Sequence, residues 1–143
     1  MTAYLIDVNV LREFGARGNA NVRKWLATVD DADLRLSVAT LFEKRRGAEA
    51  LKRRDSQRSA ELLKAIAAAE KAFADRIIPV DAAVVEEWTR MLGAKNKDRW
   101  DMALAATARV HGLVLVTRNT NDFEGRGVRL LDPFRDPRVQ IEP

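Results

Sequence analysis

Short apolar runs alternate with long helix-forming stretches along this chain, and no other feature constrains its fold as strongly. Residues 3–8 (Ala-Tyr-Leu-Ile-Asp-Val) read as a buried strand closing on an acid. A short helix is expected from Val10, and Gly15 and Gly18 mark a loop. Over residues 21–28, Val22, Trp25 and Leu26 share one helix face. Residues 34–38 form a second strand, and 39–53 and 56–75 form two helices rich in Ala, Leu, Glu, Lys and Arg. The third strand, 77–80, contains Pro79, which cannot donate to a ladder and belongs at a sheet edge. Asp81 caps a helix carrying Val84, Val85, Trp88 and Leu92. A further helix starts at Asp98 or Arg99 and runs to His111, closed by Gly112. Residues 113–116 and 128–131 make the fourth and fifth strands, and an irregular tail is expected over 133–143. Strands separated by helices pair in parallel, with the crossover helices covering the sheet. The expected class is therefore α/β, one domain over residues 1–143 with a mostly parallel central sheet flanked by helices.

Composition narrows the chemistry. A chain of 143 residues buries roughly 70% of its unfolded surface and needs no staples. The absence of Cys removes disulfides and thiolate metal sites. The only histidine is His111, so a His-rich metal site is excluded and a Ser-His-Asp hydrolase would depend on that one residue. His111 precedes the helix-closing glycine, where a cation suits the helix dipole, and no catalytic role is assigned to it. Chemistry must come from carboxylates and a cofactor. Lys and Arg (25) outnumber Asp and Glu (21), a net +4 compatible with a nucleic-acid substrate. The first residues carry no basic leader and place an acid at position 7, and the apolar runs are too short to span a bilayer. A cytoplasmic protein with no membrane contact is expected.

Four acids from distant segments fall on one expected rim. In an open parallel sheet, ligands bind at the carboxyl ends of the strands. Asp7 ends the first strand, Glu43 lies in the first turns of the helix after the second, and Asp122 follows the fourth. Asp101 begins the helix leading into that fourth strand. Each has an ordinary alternative: a turn start for Asp7, a surface pair with Lys44 or Arg46 for Glu43, a dipole partner for Asp101, a turn cap for Asp122. Two carboxylates about 4 Å apart repel by roughly 4 kcal/mol at an effective dielectric of 20, so convergence makes sense around a cation. All-oxygen ligands suit Mg²⁺ or Mn²⁺.

The motifs also resemble a known family. Leu5-Ile-Asp-Val-Asn-Val-Leu, Ser37-Val-Ala-Thr-Leu-Phe-Glu, Asp101-Met-Ala-Leu-Ala-Ala-Thr-Ala and Val116-Thr-Arg-Asn-Thr-Asn-Asp-Phe occur in the order found in PIN-domain proteins, and Leu131-Asp-Pro-Phe is similar to the end of that domain. Length and architecture most resemble the VapC-type toxins of toxin–antitoxin pairs. The resemblance implies a Mg²⁺-dependent endoribonuclease, homodimeric and held inactive by a cognate antitoxin. Asp7, Glu43, Asp101 and Asp122 would be the catalytic, metal-holding acids, with Asn9, Thr117 and Asn119 as polar support. Val8 stands where the family has a hydroxyl, Lys44 where it is apolar, and Asn119 where some relatives carry Asp.

Lys44 offers a phosphate contact. Arg45 and Lys52, like Arg46 and Arg53, are two helical turns apart and form a basic stripe able to track an RNA backbone. The competing reading is a solvated face in which Glu49 pairs with Arg45 and Arg53. Trp25, Trp88 and Trp100 are expected in the core or a subunit interface, Trp100 having base stacking as its alternative. The rival functional reading is a catalytically inactive PIN-fold binding module. A phosphoacceptor domain fits poorly, because Val8 and Asn9 follow Asp7 where that class needs an acidic pair.

Overall fold

The structure, a computed structural model, describes residues 2–94 and 99–143, with residue 99 described by its backbone alone. The chain folds as β1 (Tyr4–Ile6), α1 (Val8–Leu11), α2 (Ala20–Leu26), β2 (Leu34–Ser37), α3 (Val38–Leu51) and α4 (Ser56–Ala72). It continues through β3 (Ile77–Ile78), α5 (Ala82–Leu92), α6 (Arg99–His111), β4 (Val114–Val116), β5 (Leu130–Asp132) and β6 (Val139–Ile141). Asp98, the alternative start of the last helix, lies outside the described residues.

The sheet order is β3-β2-β1-β4-β5-β6. All pairs are parallel except β5 with β6. The Pro79 argument placed the third strand correctly at an edge. Strand pleat splits the core in two. Ile6, Val114, Val116 and Leu131 face a layer made by α1 to α4, with Trp25, Leu41 and Ile66. Leu5, Leu115 and Leu130 face the opposite layer, where Met102, Ala103 and Leu104 of α6 lie. Successive strand residues point to opposite faces, and both faces are covered, so these strands read as continuous apolar runs.

Sequence boundaries shift where caps intervene. Asp7 and Ser37 end their strands because each side chain accepts a backbone N–H of the following helix. Val8 is thereby helical rather than extended. The segment 133–143 is not wholly irregular. Val139–Ile141 pairs antiparallel with β5, and Asn21 Nδ2 donates to the Phe134 carbonyl at 2.7 Å. Three residues flanked by proline carry too little periodicity to announce a strand; the open edge of β5 supplies the partner.

α3 and α4 form a hairpin. Ala48, fully buried, lets α4 approach closely, and Ser59 Oγ donates to the Ala48 carbonyl at 2.7 Å. Residues 102–108 of α6 are buried without interruption. Four of the seven are alanine, which allows α6 to be enclosed on all sides. No helix among the described residues is long and apolar enough to cross a membrane.

Candidate active site

The chain runs outward from β1 to β2 and β3, then returns to build β4 and β5 on the other side. The crevice between the carboxyl ends of β1 and β4 is the switch point of the sheet, where such folds bind ligands. Asp7 immediately follows β1 and Thr117 immediately follows β4, so neighbouring strands deliver both side chains to that crevice.

Asp7 is 4% exposed. Its Oδ1 accepts the Val8 N–H at 2.7 Å, and its Oδ2 accepts Thr117 Oγ1 at 2.8 Å and Asn9 Nδ2 at 3.3 Å. Position 8 thus serves the site through its amide, whatever side chain it carries. Asn9 Oδ1 accepts the Arg118 N–H at 3.1 Å, which fastens the segment after β4 to α1. Thr117 Oγ1 also accepts the Asn119 N–H at 3.1 Å. Asn119 supports the site by its backbone, and its side chain makes no capping bond to the 3-10 turn Thr120–Asp122.

Burial raises the Asp7 pKa, the hydrogen bonds from Thr117, Val8 and Asn9 oppose the rise, and the Asp122 carboxylate adds to it. Glu43, on the exposed side of α3, is raised first by partial burial and then by Asp7, with Arg12 opposing. Asp122 therefore acts on Asp7 through space, and Asp7 in turn acts on Glu43. Asp101 arrives from the first turn of α6, half-buried. The residues just before Glu43 and Asp101 touch: the Phe42 and Trp100 rings lie 4.5 Å apart. The arrangement is open. Among the described residues, no three or more acidic or imidazole groups stand close enough to hold an ion in one cage.

The basic candidates divide. Lys44 is half-buried, and burial, followed by Arg12, lowers its pKa. Arg45 pairs with Glu70 of α4 and Lys52 with Glu49 at 2.9 Å. Glu49 therefore does not serve Arg45 and Arg53 as the helical spacing suggested, because α4 offers Arg45 a nearer acid. Arg46 and Arg53 are exposed. Trp25 is core at 3% exposure, and Trp88 is half-buried. Trp100 is a correction: it is exposed beside Phe42 rather than buried in the core, since the enclosed part of α6 begins only at Met102. The sequence reading missed Arg12, which lies one turn beyond Val8 and acts on both Glu43 and Lys44. It also missed Asp132, buried at the end of β5, where its Oδ1 caps the Phe134 N–H at 2.9 Å.

Residues 4–126 match the model of the PIN domain. The chain belongs to the PIN-domain family. The plasmid stability protein StbB of Pseudomonas syringae pv. tomato is 31% identical over 140 residues, covering 91% of this chain and 97% of that protein. The VapC ribonuclease Y4jK of Sinorhizobium fredii is 28% identical, covering 91% of this chain and 96% of its own length. A toxin–antitoxin complex from Klebsiella pneumoniae contains a chain that superposes with a TM-score of 0.62 at 26% identity, over 93% of this chain and 99% of that one. The Asp after β1, the Glu of α3, the Asp of α6 and the segment after β4 all lie within the matched residues.

The Thr117 hydroxyl is the fastener of this PIN site, and its removal is measurable. Thr117→Val leaves Asp7 and the Asn119 amide each short of a partner, so urea unfolding should show a loss of about 1–3 kcal/mol. Thr117→Ser should recover most of it. Equal stability of the valine and serine variants would contradict this role.

Proposed function

We propose that this PIN domain is the toxin of a toxin–antitoxin pair and acts as a metal-dependent endoribonuclease on single-stranded or looped RNA. One observation carries the reading: a buried carboxylate, Asp7, is held by three hydrogen bonds at the sheet's switch point, with the Asp122 carboxylate acting on it and Asp7 acting on Glu43 through space. Burying such a charge is costly, and a cation relieves that cost. The donor set is all oxygen, which suits Mg²⁺ or Mn²⁺, and an open set suits an ion that keeps several of its waters. Asp7, Glu43, Asp101 and Asp122 would hold it. When bound, the ion supplies a water nucleophile at neutral pH and neutralises the phosphoryl oxygens. Thr117, Asn9 and the Val8 amide hold Asp7 in one orientation before substrate arrives. Arg12 and Lys44 stand beside Glu43 and can take a phosphodiester. Attack by water on phosphorus with the P–O3′ bond breaking, the 3′ oxygen taking up the proton that the water loses, would leave a 5′-phosphate and a 3′-hydroxyl. The likeness to a VapC ribonuclease supports the activity.

A groove of about 460 Å³ opens beside Glu43 between α1, α3 and α4, with Leu51, Leu62 and Ile66 on its apolar side and Arg12 and Lys44 at its charged end. We assign it to a segment of the cognate antitoxin that carries a cation into the acidic rim. The likeness to a chain from a toxin–antitoxin complex supports such a partner. The working unit would be a cytoplasmic homodimer.

Purified protein with single-stranded RNA and Mg²⁺ should yield fragments bearing 5′-phosphates, and chelator should stop the reaction. No cleavage under any RNA and metal condition, together with no heat on titrating Mn²⁺, would favour the inactive binding module instead.

A further inference from the structure

Phe42 and Trp100 immediately precede Glu43 and Asp101, on two different helices. Their rings lie 4.5 Å apart with 34° between planes. Trp88 of α5 braces Trp100 from behind, at 5.5 Å and 41°. Despite this contact, Phe42 remains 45% and Trp100 37% exposed. Two large apolar rings are thus left partly in water, each one residue before a candidate acid and backed by a third ring. Scattered surface apolar residues need no explanation, but an ordered aromatic stack beside the carboxylates does.

We propose that Phe42 and Trp100 form a stacking platform for one unpaired nucleobase, which lays the adjoining phosphodiester across the acidic rim. The proposal rests on the nuclease reading above and names how its substrate is gripped. Position argues for a base: each ring is one residue from an acid of the candidate metal set. Charge argues the same way, because Arg12 and Lys44 flank Glu43 and offer cations to the backbone that a stacked base brings with it. Area argues against a second copy of the chain. The two exposed faces amount to roughly 150–200 Å² on the scale of a whole aromatic side chain, far below the about 800 Å² per partner of a stable protein interface. Stacking tolerates any base, so the platform would select unpaired over paired nucleotides and leave base identity to other contacts.

The test uses single-stranded RNA oligomers, each with a fluorescent adenine analogue at one position, bound to the full chain in chelator so that nothing is cut. Wild type should quench the analogue at one position. Phe42→Ala and Trp100→Ala should lose that quenching and bind about tenfold more weakly, within the range measured for single stacked bases, while Trp100→Phe keeps most of both. Phe42 is exposed enough that its alanine variant should fold, and circular dichroism checks this. Quenching at no position in wild type, or undiminished quenching in both alanine variants, overturns the platform. So do unchanged RNA affinities accompanied by a smaller oligomer on light scattering, which make the rings a subunit contact. Wild type that binds and stacks the probe but never cuts RNA with Mn²⁺ refutes the nuclease reading alone. Wild type that cuts, with both variants binding normally, refutes the platform alone.

Discussion

Asp101→Asn is expected to lower Mg²⁺-dependent RNA cleavage by more than about a hundredfold, since even the outer partners of metal ligands are worth 10- to 100-fold. The fold should survive. Asp101 lies in the first turn of α6, half-buried, and the core of that helix runs from Met102 to Ala108. An amide of the same shape at the helix start keeps a side chain able to accept a hydrogen bond and gives up a favourable dipole interaction, about 0.3–1 kcal/mol. Loss of activity with an unchanged melting curve is therefore the expected pair of results. Wild-type cleavage by the variant would remove Asp101 from the metal set, and a collapsed melt would show that its role is structural.

Asp7→Asn should separate catalysis from stability at a single residue. In the absence of metal the Asp7 pKa is raised, chiefly by burial. A folded-state pKa above the unfolded value means that the folded chain binds the proton more tightly. The residue's contribution is then fully present below the unfolded value of about 3.8 and is lost as pH rises through the folded value. Above that folded value the ionised Asp7 burdens the metal-free fold, and Glu43 shifts in the same direction. Removing the charge should stabilise the chelated protein by on the order of 1–2 kcal/mol, the size of typical stabilising substitutions. The gain falls toward the lower end because an amide Nδ2 facing the Asn9 and Thr117 donors loses the acceptor that Oδ2 supplied. The advantage of the variant should shrink as pH falls toward 4. Mn²⁺ should reverse the order, stabilising wild type by about 2.7 kcal/mol at a hundredfold excess over its dissociation constant and the variant much less. Four thermal melts, each protein with chelator and with Mn²⁺, decide the matter. A wild type unmoved by Mn²⁺, with a variant no more stable in chelator, would mean that the acids do not cooperate in holding an ion.

Periodicity along the chain was enough to locate the six α-helices and five of the six strands among the described residues, because an amphipathic face is a local property. The sequence order also placed Asp7, Asp101 and Asp122 at or just beyond element ends and Glu43 in the first turns of its helix, and Pro79 put the third strand at an edge. Which strands become neighbours is a non-local outcome. The order β3-β2-β1-β4-β5-β6 makes Asp7 and Thr117 partners although they are 110 residues apart, and no local spacing encodes that hydrogen bond. Position alone likewise left open how deeply Asp7 is buried, and with it the direction of its pKa. Pairing with the open edge of β5 decided that the tail holds a strand. The nearness of α4 gave Arg45 to Glu70 rather than Glu49. Trp100 is the sharpest case. The sequence reading put it in the core, yet the burial of α6 begins two residues later, so only the packing of α3, α5 and α6 against one another leaves that ring exposed beside Phe42.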